Sequence, residues 1–397
     1  MSWDYKTLDQ LGKVSRGKSK HRPRNDPSLF GGEYPFIQTA DVKAANFYIS
    51  EYYTTYNEKG LAQSKLWHPG TLCITIAANI ADTGILAMDA CFPDSVMGFL
   101  PYEGVADVRF VKYCFDILQQ NCKNISQGAA QDNLSWEKLS TILFPAPPID
   151  IQAKIADILS AYDDLIENNQ KQIKLLEEAA QRLYKEWFVD LRFPGHEATP
   201  IVDGLPERWK QGTINSIIEL QSGFAFKSAD FCDSGTYKVV TIKNVQDGRF
   251  DGKNVSRIDD IPARMPDHCR LNDGDILLSL TGNVGRVCVV NGQDYLLNQR
   301  VAKIKSGYPA YAYCLFRSSD MFTAIGNLAN GAAQQNLSPI KTGQIKILIP
   351  PVSLLMRFEE ITSAYMKQML TLNKQIELLQ QARDRLLPKL MSGEIEV

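Results

Sequence analysis

The stretch IQAKIADILSAYDDLIENNQKQIKLLEEAAQRLYKEW, residues 151–187, decides the fold. Apolar and aromatic residues recur along it in steps of three and four, which is the spacing of one face of a helix. A helix from about Asp150 to Asp190 would be about 60 Å long and well above the usual length in globular proteins. Its apolar face therefore needs a long partner. That face is predicted to comprise Ile151, Ile155, Ile158, Tyr162, Leu165, Ile173, Leu176, Ala180, Leu183 and Trp187.

A partner is present in the same sequence, because the pattern returns 203 positions later, from Ser353 to about Leu390. Aligning residues 128–183 with 331–386 gives 23 identities over 56 positions, whereas unrelated segments would share about three or four. The chain is therefore two copies of one structural repeat. The second apolar face is predicted to comprise Leu354, Phe358, Ile361, Tyr365, Leu372, Ile376, Leu379 and Leu386.

Both helices are predicted to begin after a prolyl pair, with Asp150 in one copy and Ser353 in the other as the residue of N-cap type. Because the two faces share their length and spacing, we predict that the helices pair as a two-helix coiled coil. The alternative is that each helix lies on its own domain. The predicted helix-pair interface comprises Ile155, Ile158, Tyr162, Ile173, Leu176, Leu183, Phe358, Ile361, Tyr365, Ile376, Leu379 and Leu386.

Composition restricts the remaining possibilities. The chain has 397 residues, 44% of them hydrophobic, and a net charge of −2, so any nucleic-acid binding must depend on local patches. Its eight cysteines are scattered without a C-x-x-C pair, which argues against a zinc site. Neither a signal peptide nor an apolar run of about 18 residues is visible. Free thiols without an export signal predict a cytoplasmic protein without a membrane span.

The domain order follows from the repeat and from proline and glycine punctuation. Domain 1, residues 1–148, is predicted to contain strands at 34–42, 70–76 and 84–87, with a turn around Asn79 and a helix at 108–118. Domain 2, residues 209–351, is predicted to repeat it with strands at 237–242, 274–280 and 287–290. The remaining predicted ranges are the central helix 149–192, a linker 193–208 and the C-terminal helix 352–397.

Residues 12–19, GKVSRGKS, fit the phosphate-binding pattern G-x-x-x-x-G-K-[ST]. That loop requires a buried strand before it and a helix after it. Residues 5–11 do not have the pattern of a buried strand, and the prolines at positions 23 and 27 disfavour a helix. We therefore do not predict a nucleotide site.

The same stretch is instead a candidate DNA contact, because it carries many cations and no acid. A flexible basic loop can neutralise several phosphates and reach base edges; the alternative is a solvated loop. The second copy has a looser set of basic residues. The candidates are Arg16, Lys18, Lys20, Arg22 and Arg24 in the first copy, and Lys227, Lys243, Arg249 and Lys253 in the second.

The turn Gly-Ala-Ala-Gln-x-Asn-Leu-Ser occurs twice, at 128–135 and 331–338. Gln131 and Gln334 are candidate contacts to bases or phosphates, as are Asn79 and Asn283; the alternative is that all four fix turns. No methyltransferase tetrapeptide D/N-P-P-Y/F and no convincing nuclease pattern is present, and the four histidines stand apart. The sequence therefore offers no catalytic, metal or cofactor site.

Taken together, the doubled Gly-Ala-Ala-Gln-x-Asn-Leu-Ser, the prolyl pairs, the long helices, EWFVDLRFPG at 186–195 and LPERW at 205–209 resemble the specificity subunits of type I restriction–modification systems. The resemblance implies an α/β (α+β) fold with two target-recognition domains in tandem, each followed by a long helix. It further implies that the helices pair as an antiparallel coiled coil with pseudo-two-fold symmetry. Each domain would read one half of a bipartite, asymmetric DNA site.

The resemblance also implies partners. A non-catalytic specificity subunit would bind double-stranded DNA, two methyltransferase subunits and restriction subunits. It would hold no cofactor itself, since S-adenosylmethionine, ATP and Mg belong to the partner subunits. The rival interpretation is a coiled-coil scaffold that joins proteins and does not bind DNA.

Overall fold

The structure is a computed structural model that describes residues 3–76, 81–125, 136–253, 255–329 and 336–397, with only the backbone described at 120–125. Its contacts divide the chain into two compact units. The first unit comprises Met1–Glu167 and Glu377–Val397, and the second comprises Asn168–Ile376. Each unit therefore contains one α/β domain and a segment of each long helix. The predicted domain ranges, which follow the sequence repeat, stay a prediction.

The two long helices are confirmed. The central helix spans Ile149–Tyr184 and continues as a π-helical turn over Lys185–Val189, and the C-terminal helix spans Val352–Met391. No helix among the described residues is long and apolar enough to cross a membrane.

Each long helix begins two residues earlier than the predicted N-caps indicate, at Ile149 and at Val352. The carbonyl oxygen of Pro148 accepts the first N–H groups of the central helix, and that of Pro351 does the same for the C-terminal helix. The expectation that Asp150 and Ser353 are N-caps is therefore wrong, since both lie inside the first turn. The prolines take the cap position because they lack an N–H and cannot themselves continue a preceding helix.

The buried face of the central helix differs from the predicted face in its first half. Ile158 is 37% exposed and Leu165 is 51% exposed, whereas Leu159 and Ile166 are buried. The reason is that polar Asp163 also belongs to the buried face. A pattern that counts only apolar residues therefore selects positions one residue away from the true face.

In the first unit, a five-stranded sheet forms the centre of the α/β domain, and only its last two strands pair in parallel. Its strand order is Gly12–Arg16, Val96–Pro101, Leu72–Thr75, Thr83–Leu86 and Tyr48–Ile49. Three further strand pairs are Asp4–Lys6 with Phe144–Ala146, Phe30–Pro35 with Thr55–Tyr56, and Leu66–Trp67 with Ala90–Cys91.

The predicted strand at 34–42 is wrong in its second half. The strand ends at Pro35, and Thr39–Ala44 is a helix. Asp41 explains the change, because its carboxylate accepts the N–H of Gln38 at 2.7 Å and so caps the first turn. The strands expected at 70–76 and 84–87 are confirmed by the antiparallel pairing of Leu72–Thr75 with Thr83–Leu86.

The helices of the first domain pack one core with both long helices. The main helix runs to residue 125, beyond the predicted end at 118. Phe110 and Phe115 of this helix lie in one apolar cluster with Leu159 of the central helix and Leu390 of the C-terminal helix. The helices of this domain are Leu8–Leu11, Thr39–Ala44, Glu58–Ala62, Val108–Ile125 and Trp136–Leu139, with a 3₁₀ turn at Pro27–Leu29.

In the second unit the domain has two larger sheets. The first is antiparallel, with the order Ile218–Ser222, Val301–Ser306, Ile276–Ser279 and Val287–Val289. The second has the order Phe231–Cys232, Ser256–Ile258, Tyr237–Val240, Tyr295–Leu297 and Arg270–Leu271. Lys210–Thr213 also pairs with Lys346–Ile349, and Ile201–Val202 pairs with Leu205–Pro206 inside the linker. The predicted hairpin of 274–280 with 287–290 is confirmed.

The helices of the second domain cover the first of these sheets and meet the long helices in an aromatic core. Phe188 lies 5.0 Å from Phe358 and 4.9 Å from Tyr311, centroid to centroid, and Phe193 of the linker lies 5.5 Å from Trp209. The helices of this domain are Pro309–Arg317, Ser319–Ala329 and Pro339–Gly343, with 3₁₀ turns at Ile214–Ser216, Ser228–Asp230 and Asp267–Cys269; another lies in the linker at His196–Ala198.

The helix segments inside the second unit run antiparallel. Asn169 donates to Gln375 at 3.3 Å. Tyr184, farther along the central helix, makes an edge-to-face contact with Phe358, which lies earlier in the C-terminal helix. Coiled-coil packing along the whole length and pseudo-two-fold symmetry stay predictions.

Candidate nucleic-acid interface and helix surfaces

The basic loop, residues 17–26, follows the edge strand Gly12–Arg16 in the first domain. The N–H of Gly17 donates to the carbonyl of Val96 at 2.8 Å, and the N–H of Lys18 donates to that of Phe92 at 3.0 Å. A Cβ on Gly17 would overlap the carbonyl oxygens of Phe92 and Pro93, so this close approach requires glycine. Because the first part of GKVSRGKS is an extended strand with no helix after it, the structure also lacks the cradle of a nucleotide-binding loop.

Side chains of the neighbouring segment fix the backbone of the basic loop. The Oε1 atom of Gln63 accepts the N–H groups of Lys20 and His21 at 2.6 and 3.0 Å. The hydroxyl of Ser64 donates to the carbonyl of Lys18 at 2.7 Å. The expectation of a flexible loop is therefore wrong, because consecutive backbone groups are bound by a segment more than 40 residues away.

An acidic residue that the sequence pattern did not indicate meets two of the candidate arginines. Nη2 of Arg24 donates to both carboxylate oxygens of Asp94, at 2.7 and 2.9 Å. Nη2 of Arg22 lies 3.9 Å from the same carboxylate, while its Nη1 donates to the carbonyls of Ser19 and His21. By contrast, exposed Arg16 and Lys20 and half-buried Lys18 form no ion pair with the residues that the structure describes.

The far end of the basic loop closes on Asp26. Its carboxylate lies 2.7 Å from Nε2 of His21 and accepts the N–H of Ser28 at 2.9 Å. The hydrogen bonds from Ser28, supported by His21, lower the pKa of Asp26 to about 2. The carboxylate therefore stays ionised at neutral pH and holds the turn.

A second cation group extends this surface. Nζ of Lys65 lies 3.4 Å from the centre of the Trp67 ring, a cation–π contact. Partial burial and the positive charge of Lys13 both lower the pKa of Lys65. Because the charge of Lys13 disfavours the charged form of Lys65, the two lysines are close enough to contribute to one positive region. Lys65 was missed in the sequence because it lies outside the basic run.

In the second domain, three of the four candidate cations lie on a loop, residues 241–253, that is held by internal hydrogen bonds. Asn244 makes two of these bonds: it accepts the N–H of Thr241 at 2.8 Å and donates to the carbonyl of Asp251 at 2.9 Å. Three of the candidates project from this loop, and the fourth stands before the 3₁₀ turn Ser228–Asp230. All four are exposed: Lys243, Arg249, Lys253 and Lys227.

The turn at 281–286 lies beside this loop. Gly282 and Gly285 have φ values of +69° and +85°, which explains glycine at both positions. Exposed Asn283 stands between them, and Arg286 donates to Gln246 of the 241–253 loop at 2.6 Å. Thr281 forms a bridge with Asn336, so the repeated Asn-Leu-Ser segment also meets this turn. The candidates Asn79, Gln131 and Gln334 lie outside the described residues.

Each unit also contains a paired carboxylate on the central helix that sequence analysis missed, buried in the first unit and half-buried in the second. In the first unit Tyr113 donates to Asp163 at 2.6 Å, and Arg383 pairs with the same carboxylate. Burial raises the pKa of Asp163, an effect that the charge of Arg383 opposes. In the second unit Tyr313 donates to Glu177 at 3.0 Å, and Arg317 pairs with Glu177 at 2.6 Å.

The predicted interface residues of the helices have different environments. Ile155 and Phe358 are buried in the cores of the first and second unit. Leu386 packs on the first core, whereas Leu183, Ile361 and Tyr365 pack on the second. Exposed Ile158 does not belong to the buried face, as noted above. The remaining predicted positions, Tyr162, Ile173, Leu176, Ile376 and Leu379, are half-buried.

Comparison with known proteins agrees with this architecture. A family model described as the type I restriction modification DNA specificity domain matches residues 1–178 and 206–379. The type I restriction enzyme MjaIX specificity subunit of Methanocaldococcus jannaschii is 26% identical, over 100% of this chain and 94% of that protein. The HindI specificity subunit of Haemophilus influenzae is 21% identical, over 97% and 98% respectively. The crystal structure of the S subunit from M. genitalium superposes with a TM-score of 0.58 at 16% identity, over 98% and 96%, which establishes a shared fold.

Two unlike α/β domains with exposed cationic loops, built on a duplicated pair of long helices, define a tandem DNA-specificity protein. The family model covers most of the chain. The chain therefore belongs to the type I restriction–modification DNA specificity family, and its function is DNA sequence recognition in such a system. Among the described residues, no group of three or more His, Cys, Asp or Glu side chains is placed to hold a metal ion.

Proposed function

We propose that this specificity subunit reads two different DNA half-sites and docks two copies of one partner, the methyltransferase subunit. The subunit itself performs no chemistry. S-adenosylmethionine, ATP and Mg would be bound by methyltransferase and restriction subunits, which supply catalysis and translocation. The observation that carries the proposal is the distribution of identical residues between the two long helices.

Positions that are buried in both helices differ between the copies. Examples are Ile155 against Phe358 and Asn169 against Leu372. No identical pair stands at a position buried in both copies, and five stand at positions exposed in both; the other identities are half-buried in at least one copy. The five exposed pairs are Ala161 and Ala364, Lys171 and Lys374, Leu175 and Leu378, Ala179 and Ala382, and Arg182 and Arg385.

This distribution is the reverse of what packing alone requires, because a core constrains residues more strongly than a solvated surface does. A duplicated helix that served only to hold its own domain would have no reason to keep exposed residues. A surface that binds the same partner twice has that reason. The identities therefore support two equivalent docking surfaces.

The docking surfaces are short helical stripes. Leu175, Ala179 and Arg182 follow the i, i+4, i+7 spacing and so lie on one face of the central helix. Leu378, Ala382 and Arg385 repeat the stripe on the C-terminal helix. The two leucines are 64% and 65% exposed, so the same large apolar side chain is available to a partner at equivalent positions of both helices. A small alanine one turn away leaves space for a side chain of the partner.

Native mass spectrometry of the subunit co-expressed with its methyltransferase subunit tests this assignment. The unmodified chain should bind two methyltransferase subunits. Leu175→Glu and Leu378→Glu should each reduce the complex to one, and the double variant should bind none. Leu165→Glu is the matched control, since Leu165 is also exposed but is replaced by glutamine at the equivalent position 368. Retention of two partners by the double variant would overturn the docking surfaces.

The α/β domains supply the DNA-reading part of the proposal. Their scaffold is repeated, but the exposed loops differ: the first has the basic loop, and the second has the mixed-charge loop 241–253. Different loops on equivalent scaffolds favour two different short sequences, read in part through phosphates and in part through base edges. Sequencing the methylated sites of a host that carries the system tests this, and the expected motif is bipartite and asymmetric.

A further inference from the structure

We propose that Asp94 is a specificity-determining residue of the first domain, because its carboxylate occupies, in the DNA-free protein, the place of a DNA phosphate between Arg22 and Arg24. The inference rests on the proposed DNA-reading function of the basic loop. In this arrangement, DNA must displace an internal anion before the two arginines can bind a phosphate.

The geometry around the carboxylate is that of an anion held by two guanidinium groups. Arg24 donates to both of its oxygens at 2.7 and 2.9 Å, and Nη2 of Arg22 lies 3.9 Å away. Arg22 is itself fixed, because its Nη1 donates to the carbonyls of Ser19 and His21 at 2.7 and 2.8 Å. Guanidinium groups bind carboxylate and phosphate with the same donors.

The backbone keeps Asp94 in this position. Asp94 lies in the turn that the N–H of Val96 closes on the carbonyl of Pro93 at 3.0 Å. The same turn is bonded to the start of the basic loop through Gly17 and Lys18. The backbone therefore holds Asp94 beside the arginines without any rearrangement of the loop, so its carboxylate is a fixed part of this surface.

The ion pair between Arg24 and Asp94 can compete with a DNA phosphate for the arginine and can also be displaced by it. Both partners are well exposed, Arg24 at 49% and Asp94 at 39% of the side chain, and exposed ion pairs contribute little to stability. A phosphate within a polyanion attracts the arginines more strongly than one carboxylate does, because contact with it also releases counterions. In the proposed arrangement, base contacts hold the cognate complex with the Arg24–Asp94 pair in place, whereas non-specific binding, which depends on phosphate contacts, must displace Asp94. Asp94 therefore reduces binding most at non-specific sequences.

The part of the second domain that the structure describes does not contain this arrangement. There the N–H of Phe224 donates to the carbonyl of Leu297, as that of Lys18 does to Phe92 in the first domain. With these residues aligned, Arg22, Arg24 and Asp94 correspond to Ser228, Asp230 and Gln299. The competing carboxylate is thus a property of one domain, and its effect should be confined to one half-site.

Binding of fluorescent duplexes by the complex with its methyltransferase subunits tests the inference, with one duplex carrying the methylated sequence and one lacking it. Asp94→Asn should bind the duplex without the site about three- to fivefold more tightly at about 50 mM salt, and the slope of log affinity against log salt should become steeper by about one. Binding to the cognate duplex should gain less, so discrimination falls.

Asp89→Asn is the matched control. It makes the same change of charge in the same unit, at a carboxylate that pairs with His68 and not with the basic loop. Equal effects of the two variants, or weaker binding by Asp94→Asn, would overturn the inference. The gain in non-specific binding caused by Asp94→Asn should also disappear when both arginines are replaced, in Arg22→Ala/Arg24→Ala/Asp94→Asn. A gain that persists in this triple variant would overturn the inference equally. If the unmodified complex discriminated between the duplexes no better than its methyltransferase subunits alone, the DNA-reading function would fail instead, and the inference with it.

Discussion

The phenol of Tyr113, in the main helix of the first domain, donates a 2.6 Å hydrogen bond to the buried carboxylate of Asp163 on the central helix. Arg383 of the C-terminal helix pairs with the same carboxylate. One side chain thus connects the α/β domain with both helix segments of the first unit. Asp163 is 1% exposed, so this connection is made away from solvent. We infer that it fixes how the domain sits on its helices within that unit.

Asp163→Ala should lower the free energy of unfolding of the first unit by about 1–3 kcal/mol, because Tyr113 loses its buried acceptor and Arg383 keeps only its contact with Asp384. Urea denaturation followed by a probe in the first domain measures the change. Asp164→Ala, an exposed neighbour on the same helix, should cost under about 0.5 kcal/mol.

An apolar replacement of the whole group gives a second comparison. Tyr113→Phe/Asp163→Leu/Arg383→Met removes all three buried polar groups and leaves only the exposed Asp384 without its partner. It should recover most of the loss, since buried ion pairs are often no more stable than apolar contacts. A triple variant as unstable as Asp163→Ala would contradict this explanation.

Stability should depend on pH through Asp163, with a sign opposite to that of ordinary acid denaturation. Burial raises the pKa of this carboxyl above its unfolded value of about 3.9. Between these two pKa values the folded state holds more protons than the unfolded state, so the contribution of Asp163 to stability falls as pH rises. It is fully present below the unfolded pKa and is lost as pH rises through the folded pKa.

Denaturation of the unmodified chain and of Asp163→Asn at a series of pH values isolates this contribution. The free energy of unfolding of the unmodified chain, minus that of the variant, should decrease from pH 4 upward. Asparagine is the suitable replacement because its side-chain oxygen can still accept from Tyr113. A difference that rises with pH would show that Arg383 outweighs burial and that the pKa is lowered.

The basic loop should lose its fixed backbone in Gln63→Leu, because the acceptor for the N–H groups of Lys20 and His21 is removed. Amide hydrogen exchange at these two residues should accelerate by about tenfold or more if a bond of about 1.4 kcal/mol is lost. Gln63→Glu retains an acceptor oxygen and should keep the protection. Protection that survives in the leucine variant would mean that Ser64 and the strand contacts hold the loop without Gln63.

Sequence predicted those features that depend on local spacing or on the repeat itself. The long helices, the hairpin of Ile276–Ser279 with Val287–Val289 and the pair of α/β domains all follow from periodicity or internal identity. In the first half of the central helix the predicted buried face was displaced by one residue, because polar Asp163 is buried together with apolar neighbours. The helix Thr39–Ala44 was missed because the residues before it have the pattern of a strand, which was extended over Asp41 although this residue caps a helix.

The candidate site was predicted less completely, since it depends on contacts between distant segments. Arg22 and Arg24 were identifiable as a cationic run, but Asp94, 70 residues from Arg24, has no local signal. Gln63 and Ser64 likewise acquire their role only when the helix Glu58–Ala62 packs beside the loop. The repeat did contain one signal that needed the structure for its interpretation. The identities of the long helices avoid the positions buried in both copies, which becomes informative once exposure is known.

The central claim is that two unlike domains on a duplicated scaffold each read their own half of one DNA site. Replacing domain 1, residues 1–148, with the corresponding domain of a related specificity subunit and sequencing the methylated sites of the host tests it most directly. We expect a new sequence in one half of the motif, with the other half unchanged. A change in both halves, or in neither, would contradict it.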